Sequence, residues 1–465
     1  MRLHKYLIPI IVFLLPMSSA AQNSITYNNK KIEKNCKYTK GNNYQKDFLL
    51  FMDMLQQTHP AFAKQIPLNI KSISKQGYKH SARCKDNDSF ALLLQSVAAK
   101  IHDGHTTVNL TNAGLLYPMH FYTDEKGFYL DVVQSGNEES LGKQIKKING
   151  NEMSDIYNRF RDIISYDNEA TLLKTFKNTV SLFSSWQQLG LCSADSSITL
   201  TLTDGSSVNL RPIPKKQLIP RRIHAKPSKT QLMRLRSNRM PYSFELIEPG
   251  ICYMLFNKCE ARSLPTFSAF LDSMFQTMQA SSIHTLAVDV RENSGGNSAL
   301  CEELLRRLKS NITYYSFWTR PSQLVSDYYH MMSIDESTVN FKDTIQAQLQ
   351  GVKTPFTGNV IWIQGERTFS SAGLLITTAV DNNIGIVIGE QASYSPNHYG
   401  NIIGWTLPNT NIQGYISHRF FLRPDKTRGN DIPLKATLPT TFDNYINGID
   451  PCLDWIISNY PKYGN

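Results

Sequence analysis

Three short segments carry residue types that together could perform nucleophilic catalysis. Ser370 and Ser371 follow the apolar run NVIWIQG. A serine where a strand passes into a helix lies beside free amide groups and the positive end of the helix dipole, which suits attack on a carbonyl that becomes an oxyanion. Gly295 and Gly296 follow the apolar run HTLAVDV, and paired glycines let backbone N–H groups approach a ligand closely. His105 lies on a loop after a helical pattern, and histidine can take the proton of a serine.

Each of these features also has a common structural explanation. Serine is a preferred helix N-cap, and Ser370 taken alone fits that role. A Gly-Gly pair is frequent in ordinary turns, and a lone histidine is usually structural or simply exposed. The residue types therefore become informative only when they are considered together.

The serine and glycine segments lie in a region that alternates between strand and helix patterns. From about residue 242 onward, short apolar runs alternate with amphipathic stretches, which predicts an α/β core with a largely parallel sheet. Functional groups in such cores gather where strands end and helices begin. The strand runs are ICYMLFN, HTLAVDV, NVIWIQG and IGIVIG, and the predicted helices are 265–278, 297–308 and 371–380.

Upstream of this core, the apolar pattern changes twice. Residues 44–101 have helical periodicity, and from about 117 to 210 the pattern is that of short strands with a good hairpin turn at Asp204-Gly205. We therefore predict five segments: 1–21 signal peptide, 22–112 N-terminal helical region, 113–210 β-rich module, 211–240 basic connector and 241–465 catalytic-looking core.

The first 21 residues, MRLHKYLIPIIVFLLPMSSAA, predict export. A basic start precedes a short apolar run, and Ser19 and Ala21 occupy the −3 and −1 positions of a small-residue cleavage site. A membrane anchor is the alternative, but the apolar run is short for a span. We expect a periplasmic or extracellular protein, in which disulfides are permitted for the seven cysteines. No cysteine spacing resembles a zinc site, and we expect neither a metal nor a cofactor.

The net charge of +11 suggests nucleic acid or an anionic membrane as a partner. However, residues 211–239 hold ten Lys or Arg and no acid, and the rest of the chain outside the leader is nearly neutral. No aromatic interleaving or fold motif supports nucleic-acid binding, so we expect none. The basic segment is either a solvated connector or an electrostatic contact with anionic surfaces.

Taken in order, DGHT, VDVRENSGG and TFSSAG followed by IGIVIGE resemble the tail-specific (C-terminal-processing) serine peptidases. The similarity runs from about 45 to 456 and is greater to the branch with tricorn protease and interphotoreceptor retinoid-binding protein. The resemblance implies a crotonase-like spiral of ββα units. The run GKQIKKING within 117–155 is similar to the end of a PDZ-like module, which binds chain ends by adding a strand to a sheet.

The resemblance also implies roles for individual residues. The T-x-S motif places the nucleophile at Ser370, and DGH supplies the general base at His105. Backbone N–H groups of Ser371 and of Gly295 or Gly296 would form the oxyanion hole. The implied substrate is a peptide or unfolded protein.

The sequence departs from the family in two places. The Ser/Lys branch has a lysine 25 residues after the nucleophile, where this chain has Ser395. Tricorn-type enzymes orient their histidine through a preceding serine, where this chain has Gly104. Asp103 or Glu390 could orient His105 instead. These departures leave open a second hypothesis, a catalytically inactive peptide- or ligand-binding protein on the same scaffold.

Overall fold

A computed structural model describes most of the chain. The predicted leader, 1–21, lies outside the described residues. None of the helices in the described part is both long and apolar enough to cross a bilayer. The described residues are 24–26, 41–63, 69–110, 114–230, 240–247, 250–261, 265–333 and 346–460.

The protein is a mixed α/β structure. The α-helices are α1 (Asn43–Thr58), α2 (Ile70–Ser81), α3 (Asn87–Ala99), α4 (Met153–Phe160), α5 (Glu169–Thr179), α6 (Phe183–Leu189), α7 (Phe267–Ala280), α8 (Ser298–Leu308), α9 (Gln323–Met331), α10 (Ser371–Asp381), α11 (Phe442–Asn447) and α12 (Pro451–Asn459). Short 3₁₀ turns occur at Pro60–Ala63, Glu138–Ser140, Arg161–Ile163 and Lys215–Gln217.

The strands are β1 (Ser24–Thr26), β2 (Thr107–Val108), β3 (Leu115–Leu116), β4 (Met119–Asp124), β5 (Gly127–Gln134), β6 (Gln144–Ile148), β7 (Asn151–Glu152), β8 (Ile198–Leu202), β9 (Ser207–Leu210), β10 (Ile213–Pro214), β11 (Pro220–Arg222), β12 (Tyr242–Ile247), β13 (Ile251–Phe256), β14 (Thr285–Asp289), β15 (Asn311–Thr313), β16 (Ser316–Thr319), β17 (Gln348–Gln350), β18 (Asn359–Gln364), β19 (Ile386–Gly389), β20 (His398–Thr406), β21 (Gln413–Leu422) and β22 (Ala436–Thr437).

The sheet that carries the predicted core has the order β12-β13-β14-β18-β19-β22. Only the β12–β13 pair within it is antiparallel, so the prediction of a largely parallel sheet is confirmed. Helices cover both faces, which explains why its strands are continuous apolar runs. Along β13, Cys252, Met254 and Phe256 pack with α7, α8 and α10, and Ile251, Tyr253 and Leu255 pack with α12.

Two further layers position the loop that carries His105. Helices α1 and α3 pack against the long β20–β21 hairpin, and the strand β2, which follows His105 closely, pairs with β21. A separate antiparallel sheet, built around the order β11-β5-β6-β8-β9, packs with α4, α5 and α6. The helices predicted within 44–101 and the strands predicted within 117–210 are present, but 117–210 also contains α4, α5 and α6, which the strand pattern did not predict.

The basic segment differs from the simple connector that its composition predicts. Strand β10 pairs with β3, and β11 pairs with β5. The guanidinium of Arg221 contacts the Glu138 carboxylate at 3.1 Å, and Arg211 lies 3.5 Å from Asp195. The first part of the segment therefore belongs to the sheets, while 231–239 lies outside the described residues.

Candidate active site

Ser370 lies at the turn between β18 and α10 in an uncommon backbone conformation. Its φ is 53° and its ψ is −124°, and its side chain makes no capping hydrogen bond to the helix. A non-glycine residue at positive φ outside the left-handed helical region costs about 1–3 kcal/mol and persists only when the surroundings enforce it. The capping explanation therefore does not describe Ser370, and its hydroxyl is left available.

The turn is held in place by its own preceding residues. Thr368 is fully buried; its hydroxyl donates to the Val290 carbonyl at 2.8 Å and accepts the Gly365 N–H at 3.1 Å. The Phe369 N–H donates to the Asn293 carbonyl at 3.0 Å. These bonds join the serine turn to the loop after β14, which contains the two glycines.

In that loop, the two glycine amides have different environments. The Gly295 N–H donates to the Asn293 side-chain oxygen at 2.9 Å, so this donor is already used. Cys259 bonds to the Gly295 carbonyl and the Asn297 N–H, and no acceptor for the Gly296 N–H exists among the described residues. Of the two alternatives from the sequence, Gly296 has the available N–H.

Gly295 also has a steric role, because its backbone lies against the serine turn. A Cβ added there would lie 2.7 Å from the Cβ of Ser370 and 2.9 Å from the nitrogen of Ser371. Its φ of +101° also disfavours any side chain. Glycine at this position therefore permits the close approach of the two loops.

Ser371 is the first residue of α10, where an amide has no acceptor within the helix. Its hydroxyl donates to the Gly296 carbonyl at 2.7 Å. The free amides of Ser371 and Gly296 are thus held on two adjacent loops, the arrangement that a backbone oxyanion hole requires.

The structure brings His105 to the serine turn. Its ring stacks on the ring of Phe369, with centroids 4.3 Å apart and an interplanar angle of 23°. The His105 side chain is 9% exposed, and both ring nitrogens are buried without a hydrogen-bond partner in the described part of the chain. An imidazole with unsatisfied nitrogens next to a serine turn is suited to accept a proton.

Asp103 is fully buried beneath the same loop. Its oxygens accept from the His105 backbone N–H at 2.9 Å, the Thr106 hydroxyl at 2.5 Å and the His59 Nε2 at 3.1 Å. Burial alone would raise the pKa of Asp103, but the side chains of His105 and His59 hold it well below its usual range. Asp103 is therefore an ionised brace for the loop.

Glu390, the other predicted orienting residue, follows β19 in a different environment. Burial raises the pKa of its carboxyl to about 7, and the repulsion of Glu366 adds to this effect. Its other charged neighbours are Arg291, Lys177 and Glu292 rather than His105. The structure therefore groups Glu390 with the ion pairs of the sheet edge and not with the histidine.

Residues 251–402, which include the glycine loop and the serine turn, match peptidase family S41. The matched segment is therefore similar to the S41 serine peptidases, and the match spans about a third of the chain. The matched segment includes β13, β14, β18 and β19 together with α7, α8 and α10, which are four strands of the core sheet and the helices on one of its faces.

Solved structures resemble this chain over most of its length. Mature CPAF complexed with lactacystin has a TM-score of 0.63 and 12% identity, covering 89% of this chain and 97% of that one. A second structure of mature CPAF has a TM-score of 0.61 and 13% identity over 89% and 95%. A candidate peptidase from Parabacteroides merdae has a TM-score of 0.50 and 12% identity over 90% and 96%. At such identities the likeness concerns the fold. No curated protein matches the sequence.

Three charged or titratable side chains near the serine turn were not predicted from the sequence. Asp167 precedes α5, and its carboxylate, one ring nitrogen of His105 and the Asp103 carboxylate lie within 4.8 Å of one another. This is a spacing that metal ligands can have, but hydrogen bonds already engage both Asp103 oxygens. In the sequence, Asp167 looks like any acid near a helix start.

The other two missed residues are Lys174 and His398. Lys174 Nζ lies 4.5 Å from the centroid of the Phe369 ring, and burial lowers its pKa to about 8. The His398 ring lies 6.0 Å from that of His105, and burial lowers its pKa to about 4. His398 is therefore neutral at pH 7, and it adds no charge beside His105.

Proposed function

We propose that this peptidase hydrolyses peptide bonds through Ser370 as nucleophile and His105 as general base. The observation that carries the proposal is the backbone of Ser370, whose positive φ and absent cap bond leave the hydroxyl available. A strained serine turn between a strand and a helix is a recurring way to present a nucleophile. The stacking of His105 on Phe369 supports the assignment of the base.

The reaction follows from these positions. His105 takes the Ser370 proton as Oγ attacks the peptide carbonyl, and the resulting oxyanion accepts hydrogen bonds from the Gly296 and Ser371 amides. His105 then gives its proton to the leaving amine, leaving an acyl-enzyme on Ser370. Water, with His105 again as base, hydrolyses this ester and restores the serine.

The test is hydrolysis of an unfolded, fluorescently labelled protein by Ser370→Ala and His105→Ala, with Ser154→Ala as the matched control. Ser154 is exposed on α4, far along the chain from the serine turn. We expect the first two variants to lose at least about 1,000-fold in kcat/KM, as in other serine hydrolases, and the control to keep wild-type activity. Full activity of Ser370→Ala would disprove the proposal.

A fluorophosphonate probe separates this proposal from an inactive binding protein. Labelling that disappears in Ser370→Ala supports the peptidase, whereas folded wild-type protein that is not labelled supports the binder. Because the similar CPAF fold was solved in complex with lactacystin, lactacystin is a second probe, and we expect it to block labelling of Ser370.

We further propose an exported enzyme with a crotonase-like spiral and a PDZ-like module. The leader 1–21 supports export to the periplasm or the extracellular space. The antiparallel sheet with β9 and β11 at its edges supports a module that binds a peptide as an added strand. Contact of 211–239 with anionic surfaces remains a prediction; salt should weaken such binding.

A further inference from the structure

The Asp103 carboxylate is mostly occupied by donors other than the ring of His105. A carboxylate offers about four lone-pair positions, and three are used by the His105 backbone N–H, the Thr106 hydroxyl and His59. His59 Nδ1 accepts the Ala61 N–H at 3.1 Å, so its Nε2 is the donor to Asp103. The His105 Nδ1 lies 3.7 Å from Asp103 Oδ1, which is longer than a hydrogen bond.

Asp167 approaches the same imidazole from another element. Its Oδ1 accepts the Gly104 N–H at 2.7 Å, which fixes the carboxylate against the residue before His105. Its Oδ2 is buried and has no hydrogen-bond partner in the described ranges. A buried unpaired carboxylate oxygen is costly, and such groups persist where function requires them.

The position of Asp167 is set by the loop that follows β19. The next residue, Asn168, caps α5 and donates to the Ala392 and Tyr394 carbonyls at 2.9 and 2.8 Å. The Ser395 hydroxyl donates to the Asp167 carbonyl at 3.4 Å. Asp167 is therefore anchored between the loop that follows β19 and the loop that carries His105.

Unsatisfied polar atoms of His105 and Asp167 thus lie in the same small buried space. Within the described part of the chain, the His105 ring nitrogens and Asp167 Oδ2 are buried without hydrogen bonds, and a carboxylate oxygen of Asp167 lies within 4.8 Å of a ring nitrogen of His105. A hydrogen bond between the imidazole and this carboxylate would satisfy both groups, and hydrogen bonds in unliganded sites often tighten only when substrate is bound.

We propose that Asp167 is the positioning residue that holds His105 during catalysis, and that Asp103 instead braces the loop. The assignment rests on the proposed function of His105 as general base. An N–H of the imidazole donates to Asp167 Oδ2, which fixes the tautomer with its other nitrogen toward Ser370 and stabilises the imidazolium. No sequence motif points to Asp167.

The charged groups around Asp167 come from three directions. His105 and Asp103 face it from the loop, and Lys174 faces it from α5. The ring of His398 lies 6.0 Å from that of His105 and is neutral at pH 7. Burial raises the pKa of Asp167 to about 6, although His105 opposes this rise. The carboxylate therefore forms as pH rises through about 6.

The experiment compares Asp167→Asn with Asp155→Asn, an identical change on the exposed face of α4. We expect Asp167→Asn to lower kcat about 100-fold, at the low end for acid–base catalysis, with KM changed less than twofold. In Asp167→Asn, the profile of kcat against pH should lose its acid limb near pH 6. Asp167→Glu, which restores a carboxylate, should recover part of kcat. A purely structural residue would not move the pH limb.

Wild-type kcat and an unchanged pH profile in Asp167→Asn would overturn the inference. If Asp167→Asn does not fold, Asp167→Glu replaces it in the test. A wild-type acid limb in the pH profile of Asp167→Glu would also overturn the inference, and a shifted limb would support it. Ser370→Ala in the same assay separates the two proposals. If it stays active, the proposed function fails, and if it is inactive while Asp167→Asn is normal, only the role of Asp167 fails.

Discussion

The Ser371 hydroxyl donates to the Gly296 carbonyl at 2.7 Å and so ties the start of α10 to the glycine loop. The two loops carry the free amides that the proposed oxyanion hole uses. Because the amide of Ser371 is backbone, the side chain can be removed without removing that donor. The side chain of Ser371 therefore aligns the hole rather than forming it.

Ser371→Ala tests this alignment. We expect kcat to fall about fivefold, because losing one hydrogen bond of about 1 kcal/mol lets the donors move apart, while fluorophosphonate labelling of Ser370 continues at a reduced rate. Steady-state kinetics beside Ser154→Ala measures the effect. A kcat equal to that of the control would show that the loops hold their positions without this bond.

Gly295→Ala tests the close approach of the same loops, and Gly136 provides a matched control. Both glycines have a φ of +101°, but nothing lies within 4 Å of a Cβ at Gly136, whereas at Gly295 the Cβ would meet Ser370. Gly136→Ala should therefore cost only the backbone strain, about 1–2 kcal/mol of the free energy of unfolding.

For Gly295→Ala we expect a larger loss of stability and a fall in kcat of at least about 100-fold, the size seen when an oxyanion donor is displaced. Urea unfolding and peptide hydrolysis measure the two effects. Equal stability losses for both variants, with normal catalysis at Gly295→Ala, would contradict the steric argument.

The strain at Ser370 makes a prediction about stability alone. Ser370→Gly should be more stable than Ser370→Ala by about 1 kcal/mol, because only glycine adopts its φ and ψ without cost. At Ser96, inside α3, the order should reverse, with glycine about 1 kcal/mol less stable than alanine. Thermal or urea unfolding of Ser370→Gly, Ser370→Ala, Ser96→Gly and Ser96→Ala measures these differences. The same order of stability at both sites would argue against strain at Ser370.

Much of the core could be predicted because its signals are local. Continuous apolar runs such as NVIWIQG indicated buried parallel strands, and helix 298–308 begins after its cap Asn297 as the pattern indicated. The β20–β21 hairpin was missed. Its strands mix exposed and buried residues irregularly, and its role in supporting the His105 loop through Ser417 and Thr106 depends on residues 311 positions apart.

The residues of the candidate site could likewise be predicted where the signal is local and could not be where it depends on distant residues. Ser370 and His105 could be proposed from short motifs. The choice between Gly295 and Gly296 depended on the Asn293 side chain, whose bond to one amide the sequence cannot reveal. Asp167 lies 62 positions along the chain from His105, and only the folded structure brings its carboxylate close to the imidazole.

The last prediction concerns the pH dependence of stability. The pKa of Asp167 is about 6 in the folded protein and about 4 in an unfolded chain. Between these values the folded state keeps a proton that the unfolded state releases, so its contribution to stability is full below about pH 4 and is lost as pH rises through 6. Asp167→Asn removes this dependence. Its free energy of unfolding should therefore rise relative to wild type between pH 4 and 7, as urea titrations at several pH values would show, while Asp155→Asn follows wild type. A constant difference between Asp167→Asn and wild type across that range would mean that the carboxyl titrates alike in both states and is not desolvated by its place beside His105.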